Sequence, residues 1–331
     1  MRTTLTRRDE IGQTRKAAVN DSRSTLVRVM LTVVVFACAW MLALSTHAAA
    51  PVQRIFATAE DAAAALANAV KAGDRSAIIA VLGPGSEQWV WSGDAVADRA
   101  AGEHFIQAYA QKHAIEPAGD KRATLTLGPD DWPFAFPLVE TVKGWRFATE
   151  QGKTEVLARR IGENELAAIN VMLAIVDAQH DYAAADHNRD GVREYAKKLA
   201  SSPGQQDGLY WPTAAGETPS PLGALVSRAS REGYQKSAGP VPYHGYLFRM
   251  LQGQGASAHG GALDYVVEGH MIGGFAVVAY PAKYGVSGIM SFIVNHEGVV
   301  YQKDLGRQTA TSATAMTRFD PGLGWDPVPS H

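Results

Sequence analysis

Apolar residues recur at helical spacing in three stretches ahead of position 113, and alternate with polar ones soon after it. From Thr58 the chain reads Thr-Ala-Glu-Asp and then places Ala62, Leu66, Ala69 and Val70 on one face, a capped helix with an acidic first turn. Gly73-Asp74 breaks that pattern, and Ile78, Ile79, Val81 and Leu82 predict a second short helix that stops at Gly83-Pro84-Gly85. A third helix is expected over 94–113, capped by Asp94 and using Val96, Phe105, Ile106 and Tyr109. Strands are then expected at 123–127, 134–139 and 144–147, where alternation or short apolar runs meet turn residues. The longest helical stretch covers 150–185, with Val156, Leu157, Ile161, Leu166, Ile169, Leu173 and Val176 on one stripe and an interruption expected at Gly162-Glu163-Asn164.

After a Pro/Gly-rich stretch at 203–223, the pattern predicts a short helix at 222–232 and five strands at 243–251, 262–268, 274–280, 288–294 and 298–303. Asn295-His296-Glu297-Gly298 reads as a hairpin loop. Helices followed by strands, twice over, give an α+β class. The expected division is a leader at 1–48, an N-terminal α+β part at 53–158 with helices on a small antiparallel sheet, and a long helix packed on an antiparallel sheet at 159–320. A tail follows at 321–331.

Charge changes the picture mainly at the start of the chain. Arg2, Arg7, Arg8, Arg15, Lys16, Arg23 and Arg28 precede an uncharged apolar run at 29–44, which ends in Ser45-Thr46-His47-Ala48-Ala49-Ala50. A basic segment, an apolar run and small residues are the pattern of an export signal, with cleavage expected after Ala48. The alternative is an uncleaved single-pass anchor that touches the inner membrane only through residues 29–45. Both place the remainder outside the cytoplasm, in the periplasm of a bacterial envelope. Removing 1–48 takes seven of the 31 basic and three of the 33 acidic side chains, leaving 24 against 30. Such an acidic domain is a poor ligand for nucleic acid. Cys38 is the single cysteine and lies in the apolar run, so neither disulfides nor a thiolate site is expected in the mature chain.

The sharpest chemical motif is Asp186-His187-Asn188-Arg189-Asp190-Gly191. Alternating oxygen ligands before a glycine suit calcium, and Asp186, Asn188, Asp190, the Val192 carbonyl and Glu194 form the candidate ligand set of a structural ion. Lys197 stands at the twelfth position, where an EF-hand needs an acidic residue, so the loop is not an EF-hand. The alternative is a plain Asx turn capping a helix from 192. His104, His113, His180, His187, His244, His259, His270 and His296 show no metal-binding spacing, and His244 alone stands in a signature strand. No G-x-S-x-G elbow is present. Trp89, Trp91, Trp132, Trp145, Tyr210, Trp211, Tyr243 and Tyr246 fall near turns, where exposed rings could bind glycans or a protein.

Three resemblances follow from these segments. Tyr243-His244-Gly245-Tyr246, the strands to Gly306 and the helix from Asn164 together resemble the globular head of type IV pilins and pseudopilins. The first helices and strands, to Gly144-Trp145-Arg146-Phe147, look like the cone-shaped fold of nuclear transport factor 2. Gly83-Pro84-Gly85-Ser86, Asp131-Trp132-Pro133-Phe134, Gly162-Glu163-Asn164-Glu165-Leu166, Asp207-Gly208-Leu209-Tyr210-Trp211-Pro212 and Val300-Tyr301-Gln302-Lys303-Asp304-Leu305-Gly306 resemble an exported bacterial family of domain of unknown function 2950, over 53–325. That last likeness implies an envelope protein and assigns no activity. The functional expectation is a non-catalytic protein that binds or scaffolds an envelope protein or polymer. The alternative is an envelope hydrolase with a site near His244 and Asp304.

Overall fold

The computed structural model describes residues 52–214, 216–235 and 240–329. The basic leader, the apolar run at 29–44, Cys38 and the cleavage motif lie outside the described residues. Three of the first four helices begin where polar caps stand. Thr58 Oγ1 accepts from the Asp61 N–H at the start of α1 (Ala59–Ala72), and Asp74 Oδ1 accepts from Ser76 and Ala77 at the start of α2 (Arg75–Leu82). A four-residue turn, α3 (Glu87–Val90), precedes α4 (Ala95–Gln111), where Asp94 Oδ1 takes the Val96 and Ala97 N–H groups. Each cap satisfies helix-end donors that have no partner inside the helix.

An antiparallel sheet follows, with strands β1 (His113–Pro117), β2 (Arg122–Leu127), β4 (Leu138–Thr141) and β5 (Gly144–Phe147) in the order β1-β2-β4-β5. The short β3 (Trp132–Pro133) also pairs with β2. The apolar run expected as a strand over 134–139 forms one only from Leu138. Pro137 has no N–H to give a ladder, and Phe134 and Phe136 instead turn their rings together at 5.1 Å to fill the core. That core joins Leu66, Val81, Leu82, Trp89, Leu125, Leu138 and Phe147.

A single helix, α5 (Thr149–Ala183), then runs for 35 residues, about 52 Å at 1.5 Å per residue. It does not break at Gly162-Glu163-Asn164. Asn164 Nδ2 donates to the Ser287 carbonyl, and Glu165 Oε1 accepts from the Ile289 and Met290 N–H groups, so these polar residues dock the helix on a strand end. The single stripe expected along it is also corrected. Val156 and Leu157 pack on the first core, whereas the second half buries Ala168, Val171, Met172, Ile175, Val176 and Tyr182 and leaves Leu166 and Leu173 exposed. A continuous helix that serves two cores presents a different set of residues to each. Gly152 permits the close start: a Cβ there would lie 2.1 Å from the Ala135 carbonyl oxygen.

Beyond it come α6 (Gly223–Glu232) and β6 (Tyr246–Leu251), then β7 (Gly253–Gln254), β8 (Leu263–Asp264) and the β9–β10 hairpin (Val266–Val267 and His270–Met271). The main sheet adds β11 (Ala276–Pro281), β12 (Met290–Asn295) and β13 (Tyr301–Asp304). Helix α7 (Thr309–Ala315), β14 (Arg318–Phe319) and β15 (Asp326–Pro327) complete the chain. The order is β15-β13-β12-β11-β6, antiparallel throughout, and a separate three-stranded sheet runs β14-β7-β8. All six residues of β11 are buried, and both α5 and α7 pack on that strand. This is why Ala276-Val277-Val278-Ala279 is continuously apolar and does not alternate. The α+β class holds, and Val52–His331 forms one compact unit containing both cores. Among the described residues no helix is long and apolar enough to cross a membrane.

Candidate functional site

Helix α6 is short and strongly two-faced. Leu222, Leu225, Val226 and Ala229 recur at one-turn spacing and face the body, while Ser227, Arg228, Ser230 and Arg231 lie on or beside the exposed side. Gly233, in the left-handed conformation at φ 103°, ends the helix and turns the chain back toward β6. Leu222 is buried in the second core, and Leu225 and Val226 pack against that core. Beneath α6 lies a cleft of about 870 Å³, floored by Val171 and Ile175 of α5 and by Phe248 of β6, and walled by Leu199, Tyr210 and Tyr243. Serines 227 and 230, Arg231, Tyr234 and Gln235 bring polar groups to its edge. A volume of this size with a mostly apolar, aromatic lining and few polar groups is the usual form of a small-molecule site.

One end of the cleft is fixed by a buried acid. Asp94, 2 % exposed, accepts at Oδ2 from the Tyr234 hydroxyl at 2.8 Å and from the Gly245 N–H at 3.0 Å, while Oδ1 caps α4. The Tyr234 oxygen in turn accepts from the His244 N–H at 3.2 Å. Thus one carboxylate ties α4, the segment after α6 and the turn into β6 together, and its charge is met by hydrogen-bond donors. Burial, then the hydrogen bond and charge of Asp94, push the Tyr234 phenol well above its ordinary value. Burial and the neighbouring Glu232 carboxylate push Tyr243 up to about 12. Both hydroxyls therefore remain protonated donors across the physiological range.

His244 is part of this joint. Its backbone takes φ 47°, its ring lies against Tyr243 with centroids 4.3 Å apart, and its Nε2 is 3.4 Å from Glu232. Asp304 is elsewhere, accepting from the Tyr284 hydroxyl and from the Gly306 N–H. Strands β11 and β12 separate β6, which begins two residues after His244, from β13, which ends at Asp304, so three strand spacings, about 14 Å, lie between those two strands. The two residues named for the alternative hydrolase site thus have separate polar partners, Glu232 for His244 and Tyr284 for Asp304.

The aromatic residues near turns divide. Trp89 and Tyr246 are buried, Trp91 and Trp132 lie beneath the guanidinium groups of Arg75 and Arg159, and only Tyr210 and Tyr243 reach the cleft.

The Asp186–Gly191 loop follows the end of α5, and no helix starts at Val192. The chain there is extended and held by Gln179, whose amide donates to and accepts from the Ala196 backbone, and by the Tyr195 N–H on the Met271 carbonyl. Within the loop, Asp186 accepts from the Arg189 and Gly191 N–H groups, which hold its carboxyl below the usual range. Asn188 Nδ2 donates to Asp190 Oδ2 and Glu194 Oε1, and Asp190 Oδ1 accepts from the Val192 N–H. Glu194 Oε2 accepts from the Met271 N–H at 2.8 Å. The nearby Tyr182 phenol is pushed up to about 12, first by burial and then by Glu194, Asp207, Asp186 and Asp190.

Asp190 and Glu194 therefore converge, and they meet a residue the sequence motif did not contain, His270 of β10. The cleft was also missed, although the spacing of Leu222, Leu225, Val226 and Ala229 on a short helix followed by Gly233-Tyr234 was its available signal. A family model described as Protein of unknown function (DUF2950) matches residues 53–328. No curated protein and no solved structure matches the chain.

Proposed function

The chain belongs to the DUF2950 family of unknown function, and we propose that it is a non-catalytic binding protein that holds a small amphiphile in the cleft beneath α6. The observation that carries this reading is the cleft itself, about 870 Å³ with Phe248, Ile175, Leu225 and Val226 inside and Arg231 at its edge. An apolar body would fill the cleft, where each buried methylene stabilises by about 0.8 kcal/mol. An anionic end would meet Arg231 and the Ser227 and Ser230 hydroxyls. A concave apolar site suits a compact lipid-like molecule better than a polymer, which needs an open groove with hydrogen-bonding groups along it. The basic leader and apolar run support export, so the ligand is one met in the cell envelope.

The test is fluorescence titration of the full chain with parinaric acid, an 18-carbon carboxylate, beside the matching alcohol. Saturable one-to-one binding of both is expected. Arg231→Glu should weaken the acid about two- to fivefold, the value of an exposed charge contact of at most about 1 kcal/mol, and leave the alcohol unchanged. Absence of saturable binding to either molecule contradicts the proposal.

A further inference from the structure

We propose that Asp190, Glu194 and His270 form a site for a divalent transition-metal ion of the zinc type, which fastens the loop after α5 to the β9–β10 hairpin. The ligand atoms of these three residues all lie within 4.8 Å of one another, the one such His/carboxylate group among the described residues. His270 Nδ1 stands 3.6 Å from Asp190 Oδ2 and 3.6 Å from Glu194 Oε2. Those separations are too long for hydrogen bonds. They suit a shared ion, because ligands 2.0–2.2 Å from a tetrahedral centre stand roughly 3.3–3.6 Å apart.

The second observation concerns the imidazole alone. Although the His270 side chain is 30 % exposed, its Nδ1 atom is shut off from solvent and has no hydrogen-bond partner. A buried ring nitrogen without a partner is costly, and coordination would satisfy it. Glu194 is 7 % exposed, and its two oxygens each accept a single hydrogen bond, from Asn188 and Met271. Each oxygen keeps a lone pair for an ion. The Asn188 amide and the Met271 N–H then act as outer partners that orient the carboxylates. Lys197 Nζ lies 3.5 Å from Glu194 Oε2 and donates to the Gly269 carbonyl, so it stands beside the site as a charge partner.

The donor set separates this ion from the calcium expected of the loop motif. Calcium takes oxygen ligands, whereas imidazole nitrogen with carboxylate favours zinc and its neighbours. Asp186 directs its oxygens at the Arg189 and Gly191 N–H groups of the loop backbone, so it is not arranged as a ligand.

The experiment is calorimetric titration of the untagged, chelator-treated full chain with Zn2+, and separately with Ca2+. One Zn2+ per chain is expected, and His270→Ala and Asp190→Asn should each weaken it at least tenfold with circular dichroism unchanged. Because the histidine is partly exposed, His270→Gln serves as a second variant should alanine disturb the fold. No zinc binding, or zinc binding unaltered in every variant, overturns the proposal. Calcium binding that survives His270→Ala also overturns it and returns the ion to the loop oxygens.

Discussion

The two ends of α5 pack in opposite ways. At its N-terminal end, rings from Phe134, Phe136, Phe147 and Trp89 interlock with α1 and α2, and the pocket nearby is polar and only about 210 Å³. At its C-terminal end the sheet is buried to completion along β11 and Leu222 is buried in the same core, yet a cleft four times larger lies between α5, α6 and β6. The difference shows where this molecule spends its packing. One region is closed by interlocking rings, and the other ties one amphipathic helix at its ends, through the Leu222 entry and the Asp94–Tyr234 tie, while Leu225 and Val226 both touch the core and line the cleft. On the proposed reading, a ligand enters this cleft without unfolding either core.

The sharpest way to break this comparison is to truncate one phenylalanine at each end. Phe147→Ala should cost about 3–5 kcal/mol in urea denaturation. Phe248→Ala should cost no more than about 2, because its neighbours already border a void. Equal losses would mean that the second region is packed as tightly as the first. The next effect is at the tie: Asp94→Ala should cost about 2–3 kcal/mol by leaving the Gly245 and α4 N–H groups without an acceptor. It should also weaken parinaric acid binding, because α6 loses its anchor. An Asp94→Ala protein that binds normally would show that the tie does not position the cleft.

A smaller effect is pH-dependent. Tyr243 is raised above its unfolded value near 10, so its contribution is fully present below pH 10 and is lost as pH rises toward about 12. Tyr243→Phe should therefore flatten the fall in melting temperature between pH 10 and 12, and an unchanged slope would place the alkaline transition elsewhere. The smallest effect concerns the face that α5 leaves outside both cores. Leu166→Gln should shift stability by no more than about 0.5 kcal/mol, and a loss above 1.5 would show that Leu166 belongs to a core.

Much of this architecture was legible wherever the governing contacts are local. Thr58 and Asp94 announced their helices because an N-cap is a matter of two or three residues. The hairpin of β12 and β13 was legible through Asn295 to Gly298, with Gly298 at φ 77°. The continuity of α5 was not, since Asn164 and Glu165 are helix residues by virtue of partners at Ser287 to Met290, far along the chain. The candidate sites divide in the same manner. Asp190 and Glu194 stood out in a loop motif, but His270 reaches them only through the β9–β10 hairpin. The cleft is volume left between α5, α6 and β6; its trace in the sequence is the two-faced pattern of Leu222 to Ala229, which does not say what α6 faces. His244 and Asp304 were singled out from two separate strand-like segments, and sheet order, which sequence does not print, sets three strand spacings between β6 and β13.

The most direct measurement is parinaric acid binding by the Ala229→Trp variant of the full chain, since Ala229 lines the cleft from α6 and an indole there would occupy it. The expected result is a loss of affinity of at least tenfold with a melting temperature equal to or above that of the parent. Undiminished binding by a folded Ala229→Trp protein would contradict the account.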